Sequence, residues 1–188
     1  MENYKIAVVV GSLRKESFNL KTAKILMALA PESLSLQLVS IAELPIFNED
    51  LEETPPREWV SFREKIRDAD GLLFLTPEYN RSIPGVLKNA IDVGSRPYGQ
   101  SSWDGKPAAV VSVSIGAIGG FGANHHLRQS LFFLNVPTMA QPEAYIGYAT
   151  GMFDDNGILT NSSTEDFLKD FMVAFGEWVA THAIKQTA

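Results

Sequence analysis

Near its amino terminus the chain reads Tyr4-Lys5-Ile6-Ala7-Val8-Val9-Val10-Gly11, and this stretch decides the fold. The run is rich in β-branched residues and almost wholly apolar, which is typical of a strand buried on both faces. A polar loop follows, and then Leu20, Ala23 and Met27 recur at three- and four-residue spacing. This periodicity predicts a helix over residues 19–30 that stops at Pro31. The first unit is therefore a strand followed by a helix.

The same alternation continues along the chain. Strands are predicted over residues 34–41, 71–76, 108–114 and 136–139, and helices over residues 57–68, 84–93, 121–134 and 165–183. Strict alternation of this kind predicts a parallel sheet with right-handed crossovers and helices on both faces. Five strands suit the order 2-1-3-4-5, so we expect an α/β, flavodoxin-like three-layer sandwich forming a single domain over residues 1–188.

The composition restricts the classes of function. The 188 residues include 45% hydrophobic and 20% charged residues, as in ordinary globular proteins. A formal charge of −6 argues against a nucleic-acid partner, which requires clustered cations. Because the sequence has no cysteine, thiol redox chemistry and thiolate metal sites are excluded, and redox activity requires a cofactor. We see no membrane-length apolar run and no signal-peptide pattern, so we expect a cytoplasmic protein with no membrane partner.

The longest irregular connection in the first half spans residues 42–56 and carries five carboxylates. A metal site is one interpretation of these carboxylates. Nothing in the sequence fixes their geometry, however, so a solvated acidic loop is favoured and no chemistry is assigned to them.

In doubly wound parallel sheets, ligands bind beyond the carboxyl ends of the strands, so we expect the loops after strands one, three and four to form the site. The first loop places hydroxyl, guanidinium and amide donors around a helix amino terminus, as a phosphate dianion requires. The candidate residues are Gly11, Ser12, Arg14, Ser17 and Asn19. The loop lacks both G-x-x-x-x-G-K-[ST] and G-x-G-x-x-G, which disfavours ATP and a Rossmann-bound NAD. The alternative is that Ser17 or Asn19 only caps the helix, with Arg14 a solvated charge.

The second loop follows the third strand and begins with Pro77, which stiffens its exit. Pro84 suits the first turn of the next helix, so the loop can hold a fixed shape. Its main chain can then hydrogen-bond the edge of a flat heterocycle. In the alternative interpretation Tyr79 packs on a neighbouring helix, and Glu78 is solvated or forms an ion pair with Arg81.

The third loop, after the fourth strand, is rich in glycine. Its glycines permit positive φ and close approach to a planar ligand, with a helix amino terminus behind them. The candidate ligand-facing residues are Ser114, Gly116 and Gly119. A flexible connector is the alternative. Next come His125 and His126, but neighbouring residues of a helix point in different directions and cannot chelate together. Packing or a subunit contact is favoured for both.

Two of these loops together resemble a known family. The similarity lies in Gly11-Ser12-x-Arg14-x-x-Ser17-x-Asn19 combined with Pro77-Glu78-Tyr79-Asn80-x-Ser82-x-Pro84-Gly85-x-Leu87-Lys88-Asn89-x-Ile91-Asp92. This pairing resembles the NADPH-dependent FMN reductases, particularly their quinone and chromate reductase branch. The resemblance extends from residue 4 to about residue 146, and only the last forty or so residues resemble the family weakly.

The resemblance implies a tightly held FMN, NADPH or NADH as reductant, and a homodimer or homotetramer in which residues 96–98 approach a partner subunit. In the family the first loop grips the FMN phosphate, which assigns that role to Ser12, Arg14, Ser17, Asn19 and Leu20. Pro77, Glu78, Tyr79 and Asn80 are then expected along the ribityl chain and the isoalloxazine. A positive helix end behind the third loop is expected to stabilise the reduced ring and favour two-electron chemistry.

The expected activity is ping-pong reduction of a small-molecule acceptor such as a quinone, chromate, an azo compound or free flavin. No side chain is assigned a catalytic role, because the chemistry belongs to the cofactor. A non-catalytic electron carrier of the flavodoxin type is the alternative, disfavoured because the T-x-T-x-x-T phosphate loop of those carriers is missing. A phospho-acceptor signalling domain is set aside, since the third strand ends in Leu75-Thr76 rather than in an aspartate.

Overall fold

Strands and α-helices alternate along the whole of the described chain, which comprises residues 3–154 and 157–183 of a computed structural model. The strands are β1 (Tyr4–Val10), β2 (Leu34–Leu38), β3 (Gly71–Thr76), β4 (Ala108–Val113) and β5 (Ala144–Ile146). The α-helices are α1 (Phe18–Ala28), α2 (Arg57–Arg67), α3 (Gly85–Gly94), α4 (Phe121–Phe133) and α5 (Ser162–His182). No helix of these described segments is both long and apolar enough to cross a membrane.

The strands form one parallel sheet of order β2-β1-β3-β4-β5, which confirms the predicted topology. The register pairs Ile6 with Gly71 and Leu72 with Ala108. The chain order reverses between β1 and β3, so the carboxyl ends of these strands flank the crevice where doubly wound sheets bind ligands.

The helices cover the sheet in two layers because successive residues of a buried strand point to opposite faces. Phe74 packs with Trp59 and Trp103 against α2, α3 and α4, whereas Leu73 packs with Phe171 against α1 and α5. Every residue of β3 and β4 is buried. Burial on both faces explains why these strands are continuous apolar runs and were recognisable from sequence.

The last strand was predicted in the wrong place. Residues 136–139 make only an isolated bridge, between Thr138 and Ala108, and β5 is the later segment Ala144–Ile146. Pro137 and Pro142 lack the amide N–H that a continuous ladder needs. Regular pairing with β4 therefore begins beyond both prolines, where Ala144 lies opposite Val111.

Most other boundaries lie close to their predicted positions. The predicted strand over 34–41 ends early, at Leu38. The third helix begins at Gly85, with Pro84 as its N-cap rather than in its first turn. The fifth helix begins at Ser162, because the Asn161 side chain caps it by accepting a hydrogen bond from the Thr164 amide.

Candidate functional site

The three loops identified from the sequence converge at the carboxyl edge of the sheet. The Gly11 amide donates to the Leu75 carbonyl at 2.8 Å, which joins the ends of β1 and β3. Asn19 Nδ2 donates to the Val113 carbonyl at 3.2 Å, which joins the start of α1 to the end of β4. A Cβ on Gly11 would lie 2.9 Å from Leu87 Cδ2, so glycine allows this close approach of β1 to α3.

The first loop contains a run of backbone amides that have no acceptor within the protein. In the part of the chain that the structure describes, no backbone N–H from Ser12 to Asn19 donates to a protein acceptor. The run ends at the amino terminus of α1, whose dipole adds partial positive charge. Backbone donors converging on a helix amino terminus form an anion-binding surface.

The side chains of this loop divide into anchors and exposed donors. Ser17 is buried and caps α1, its Oγ accepting from the Leu20 amide at 3.2 Å, as the capping alternative predicted. Asn19 is also buried, and its Oδ1 has no partner within the described residues. Arg14 is exposed, with its guanidinium 5.9 Å from the Phe18 ring centroid. Capping by Ser17 does not use the amides that precede Leu20, so helix capping and anion binding are compatible.

The second loop is a two-residue hairpin. Tyr79 and Ser82 exchange backbone hydrogen bonds of 2.9 and 3.0 Å, while Asn80 and Arg81 have φ values of 52° and 63°. Two successive positive φ values define a type I′ turn, a conformation for which arginine is unfavourable. Tyr79 is 49% exposed at the hairpin, and Pro77 is half-buried. The amides of Asn80 and Arg81 have no acceptor among the residues described, so they are free to bind the edge of a ligand.

Glu78 connects the second loop to α4. Its side chain is only 10% exposed, and its Oε1 accepts from the Arg81 guanidinium at 2.7 Å. Its Oε2 accepts from the Ala123 amide at 3.1 Å, in the first turn of α4. The ion pair was one of the alternatives predicted for Glu78. The contact with Ala123 was not predicted, because the two residues are 45 positions apart.

The third loop packs closely against β5. Gly119 and Gly120 have φ values of 59° and 77°, and a Cβ on Gly119 would lie 2.5 Å from the Tyr145 carbonyl carbon. Gly119 is therefore buried against the protein's own backbone. Gly116 is exposed, and its amide donates to Ser114 Oγ at 3.2 Å. This hydrogen bond and the contact of Gly119 with β5 fix two points of the loop.

Apolar side chains stand exposed beside these polar loops. Ile115 and Ile118 of the third loop are 65% and 55% exposed, and Leu13 of the first loop is 51% exposed. Exposed apolar groups next to convergent polar donors suit a ligand with a flat apolar ring and a charged tail.

A series of hydrogen bonds next to the third loop was not predicted from the sequence. The Tyr145 hydroxyl donates to Glu143 Oε1 at 2.7 Å and lies 2.8 Å from His125 Nε2, which must then be the donor in that contact. Burial, together with the Glu143 hydrogen bond, raises the pKa of Tyr145 to about 12. No sequence signal pointed to this series of hydrogen bonds, because Glu143 and Tyr145 lie where no strand was predicted.

The two neighbouring histidines have separate partners. His126 Nδ1 lies 2.7 Å from Ser82 Oγ, whereas the His125 ring packs against the Phe121 ring at a centroid distance of 4.2 Å and an interplanar angle of 36°. The divergence agrees with the expectation that they do not act together. Among residues 3–154 and 157–183, no three histidine or carboxylate side chains are grouped as a metal site would need.

Comparison with known proteins identifies the family. The family model for NADPH-dependent FMN reductase matches residues 4–151. A quinone reductase of Pseudomonas putida is 64% identical over 177 residues, covering 94% of this chain and 95% of the relative. A 2-hydroxy-1,4-benzoquinone reductase of a Burkholderia species is 48% identical over 175 residues, covering 93% of this chain and 96% of the relative.

A solved structure agrees in both sequence and shape. FerB of Paracoccus denitrificans, a flavoenzyme NAD(P)H:(acceptor) oxidoreductase, is 42% identical and superposes with a TM-score of 0.90, covering 96% of this chain and 100% of that chain. The predicted family, cofactor and reductant are thereby confirmed. The chain belongs to the NADPH-dependent FMN reductase family and is an oxidoreductase that uses FMN as cofactor and NAD(P)H as reductant.

Proposed function

We propose that this protein is a quinone reductase in which the unpaired amides of residues 12–19 bind the FMN phosphate at the carboxyl edge of the sheet. The observation that carries the proposal is that amide run, which ends at the amino terminus of α1. A phosphate dianion satisfies such donors better than water, since it adds charge-assisted hydrogen bonds. The relatives named as quinone reductases support the choice of acceptor.

Each residue proposed to hold the FMN phosphate has a separate role. The main chain of Gly11 and Ser12 begins the cradle, and the exposed Arg14 side chain supplies a cation. Buried Ser17 and Asn19 hold the cradle in place through the helix cap and the bond to Val113. The Leu20 amide already donates to Ser17, so Leu20 contributes through its position in the first turn.

The ring is proposed to lie between the second and third loops. The main chain of Pro77, Glu78, Tyr79 and Asn80 lines one side, and Ser114 and Gly116 line the other, while Gly119 packs on β5 behind them and holds that loop in place. When bound there, FMN supplies two-electron chemistry between the nicotinamide and the quinone. The chain's own residues bind the phosphate and orient the ring. The exposed Tyr79 and Ile115 side chains of the two loops leave the site open to solvent, so that both substrates of a ping-pong sequence can reach it in turn.

We propose a homodimer or homotetramer assembled through the face formed by α3 and α4. A groove of about 1040 Å³ runs between these helices and is lined by Tyr98 and Phe133 among others. Tyr98, Phe132 and Phe133 are each more than 80% exposed, with values of 88%, 85% and 84%. Exposed aromatic side chains around one groove, as Tyr98 and Phe133 are here, mark an association surface. We also propose the cytoplasm as the compartment of this protein, because the cytoplasm supplies the NAD(P)H that the reaction consumes.

Light scattering coupled to size exclusion tests the assembly. The wild-type protein is expected at twice or four times 20.7 kDa. Phe133→Asp should shift it toward the monomer, whereas Val173→Asp, at a 48% exposed position on α5, should not. A monomeric wild-type protein at micromolar concentration contradicts the proposed assembly.

The activity is tested with the visible spectrum of the purified protein, followed by NADPH or NADH with and without a benzoquinone. A yellow protein that either nicotinamide bleaches, and that turns over with quinone, supports the proposal. Parallel assays with chromate and an azo dye rank the other acceptors. A colourless protein that gains no absorbance on gel filtration with FMN refutes it, and a yellow protein inert to both nicotinamides points to an electron carrier.

A further inference from the structure

The amino end of α4 is closed by a carboxylate from another loop. Gly120, the N-cap residue of α4, offers no side chain for capping. Glu78 replaces it, with Oε2 accepting from the Ala123 amide at 3.1 Å. A Cβ on Gly122 would lie 2.8 Å from this oxygen, so the glycine is what lets the carboxylate reach the helix.

The burial of Glu78 makes its charge effective. The amino end of a helix carries the equivalent of about half a positive charge, and the carboxylate offsets it at hydrogen-bond distance. The opposing cation is the Arg81 guanidinium, whose side chain is 74% exposed against 10% for Glu78. Water screens the exposed cation more strongly than the buried anion, so a net negative potential remains at the junction of the second and third loops.

We propose that Glu78 is a positioning residue that sets the reduction potential of the bound FMN, because its carboxylate occupies the positive helix end that would otherwise stabilise negative charge on the reduced cofactor. This inference rests on the proposed function, which puts the ring between these two loops. It also changes the expectation that the amino end of α4 stabilises the reduced ring, because the Glu78 carboxylate neutralises most of the positive charge at that helix end. The predicted consequence is a low potential that favours rapid donation of electrons to the acceptor.

The test compares the two-electron reduction potential of the FMN holoprotein in wild type and Glu78→Gln by equilibration with a reference dye. Glutamine keeps an oxygen for the Ala123 amide but removes the charge. The ratio of reduced to oxidised FMN at a fixed solution potential should rise about tenfold, which corresponds to about 30 mV for a two-electron couple. Asp68→Asn is the matched control. It also removes one carboxylate, but from an exposed pair with Lys5 at the opposite edge of the sheet, and should change the ratio less than about twofold.

A second variant covers the case in which Glu78→Gln loses FMN. Arg81→Gln removes the cation that faces Glu78 and leaves the carboxylate on Ala123, so the ratio should fall by about twofold to threefold. A wild-type protein that binds no FMN refutes the proposed function and this inference with it. If the wild type binds FMN, the inference alone is overturned by a Glu78→Gln shift no larger than that of Asp68→Asn. A rise in the ratio for Arg81→Gln overturns it equally.

Discussion

The loops after β1 and after β4 begin alike and end differently. Each leaves a buried strand and enters the amino terminus of a helix, α1 or α4. In the first loop the amides from Ser12 to Asn19 have no acceptor in the described chain, whereas in the third loop the Gly116, Gly119 and Ala123 amides donate within the protein. One helix end is left open to an anion and the other is closed by Glu78. The same strand-to-helix pattern thus leaves backbone donors without protein acceptors in one place and pairs them within the protein in the other.

The largest expected effect comes from breaking the packing of the third loop. In Gly119→Ala, a methyl group must fit 2.5 Å from the Tyr145 carbonyl carbon at a φ of 59°. Backbone displacement and left-handed strain should together lower the free energy of unfolding by about 3 kcal/mol, measured by urea denaturation. Gly116→Ala is the control, since its nearest neighbour is Ser114 Oγ at 3.8 Å, and it should change stability by less than about 1 kcal/mol. Equal losses in the two variants would refute the distinction between a packed and an open glycine.

The next effect tests the open helix end through cofactor affinity. Arg14→Ala removes a charge-assisted contact proposed for the phosphate, and should weaken FMN binding by about tenfold to a hundredfold, or about 1.5–3 kcal/mol. Titration of apoprotein with FMN, followed by fluorescence quenching, measures the dissociation constant. Lys15→Ala removes the same charge from the next, equally exposed position and should change the constant less than about threefold. Similar losses in both variants would mean that only the net charge of the loop matters.

Helix capping in the first loop should have a smaller effect. Ser17→Ala removes the acceptor of the Leu20 amide at 3.2 Å and is expected to cost about 1 kcal/mol of stability. Ser17→Gly should lose only a few tenths of a kcal/mol, because glycine is itself tolerated at the N-cap. Thermal unfolding of the apoproteins measures both. A Ser17→Ala variant as stable as the wild type contradicts the capping role.

The smallest effect concerns alkaline pH on the β5 side of the third loop. The pKa of Tyr145 is raised from 10.0 to about 12, so the folded state holds this proton more tightly than the unfolded chain does. The resulting stability is complete below pH 10 and is lost as the pH rises through 12. Tyr145→Phe should therefore flatten the fall in unfolding free energy between pH 10 and 12, measured by urea titration. Tyr148→Phe, at a 69% exposed position, should retain the wild-type slope.

Much of the site was predictable because its signals are local. The first loop combines a strand end, small polar residues and a helix start within residues 10–20, and each of these is recognisable from neighbouring residues. The loop at Tyr79 was predicted to hold a fixed shape, but its hairpin was not predicted, because the type I′ turn puts Arg81 at a φ of 63° without the glycine that usually signals it. The individual FMN contacts of these residues remain predictions.

The sequence alone predicts the buried strands β1, β3 and β4 and the loops that follow them, because hydrophobic runs and helix-start residues act over a few positions. The tertiary structure decided how those loops pack and which residues they contact. The edge strand lies at Ala144–Ile146 because regular pairing with β4 begins only beyond two prolines. The position at which this pairing begins depends on contact with β4, and it cannot be read from neighbouring residues. Glu78 reached Ala123 across 45 positions, and Tyr145 met His125, because sheet assembly brought separate loops to one edge. Such contacts depend on the distances between residues in space, and neither periodicity nor local composition predicts those distances.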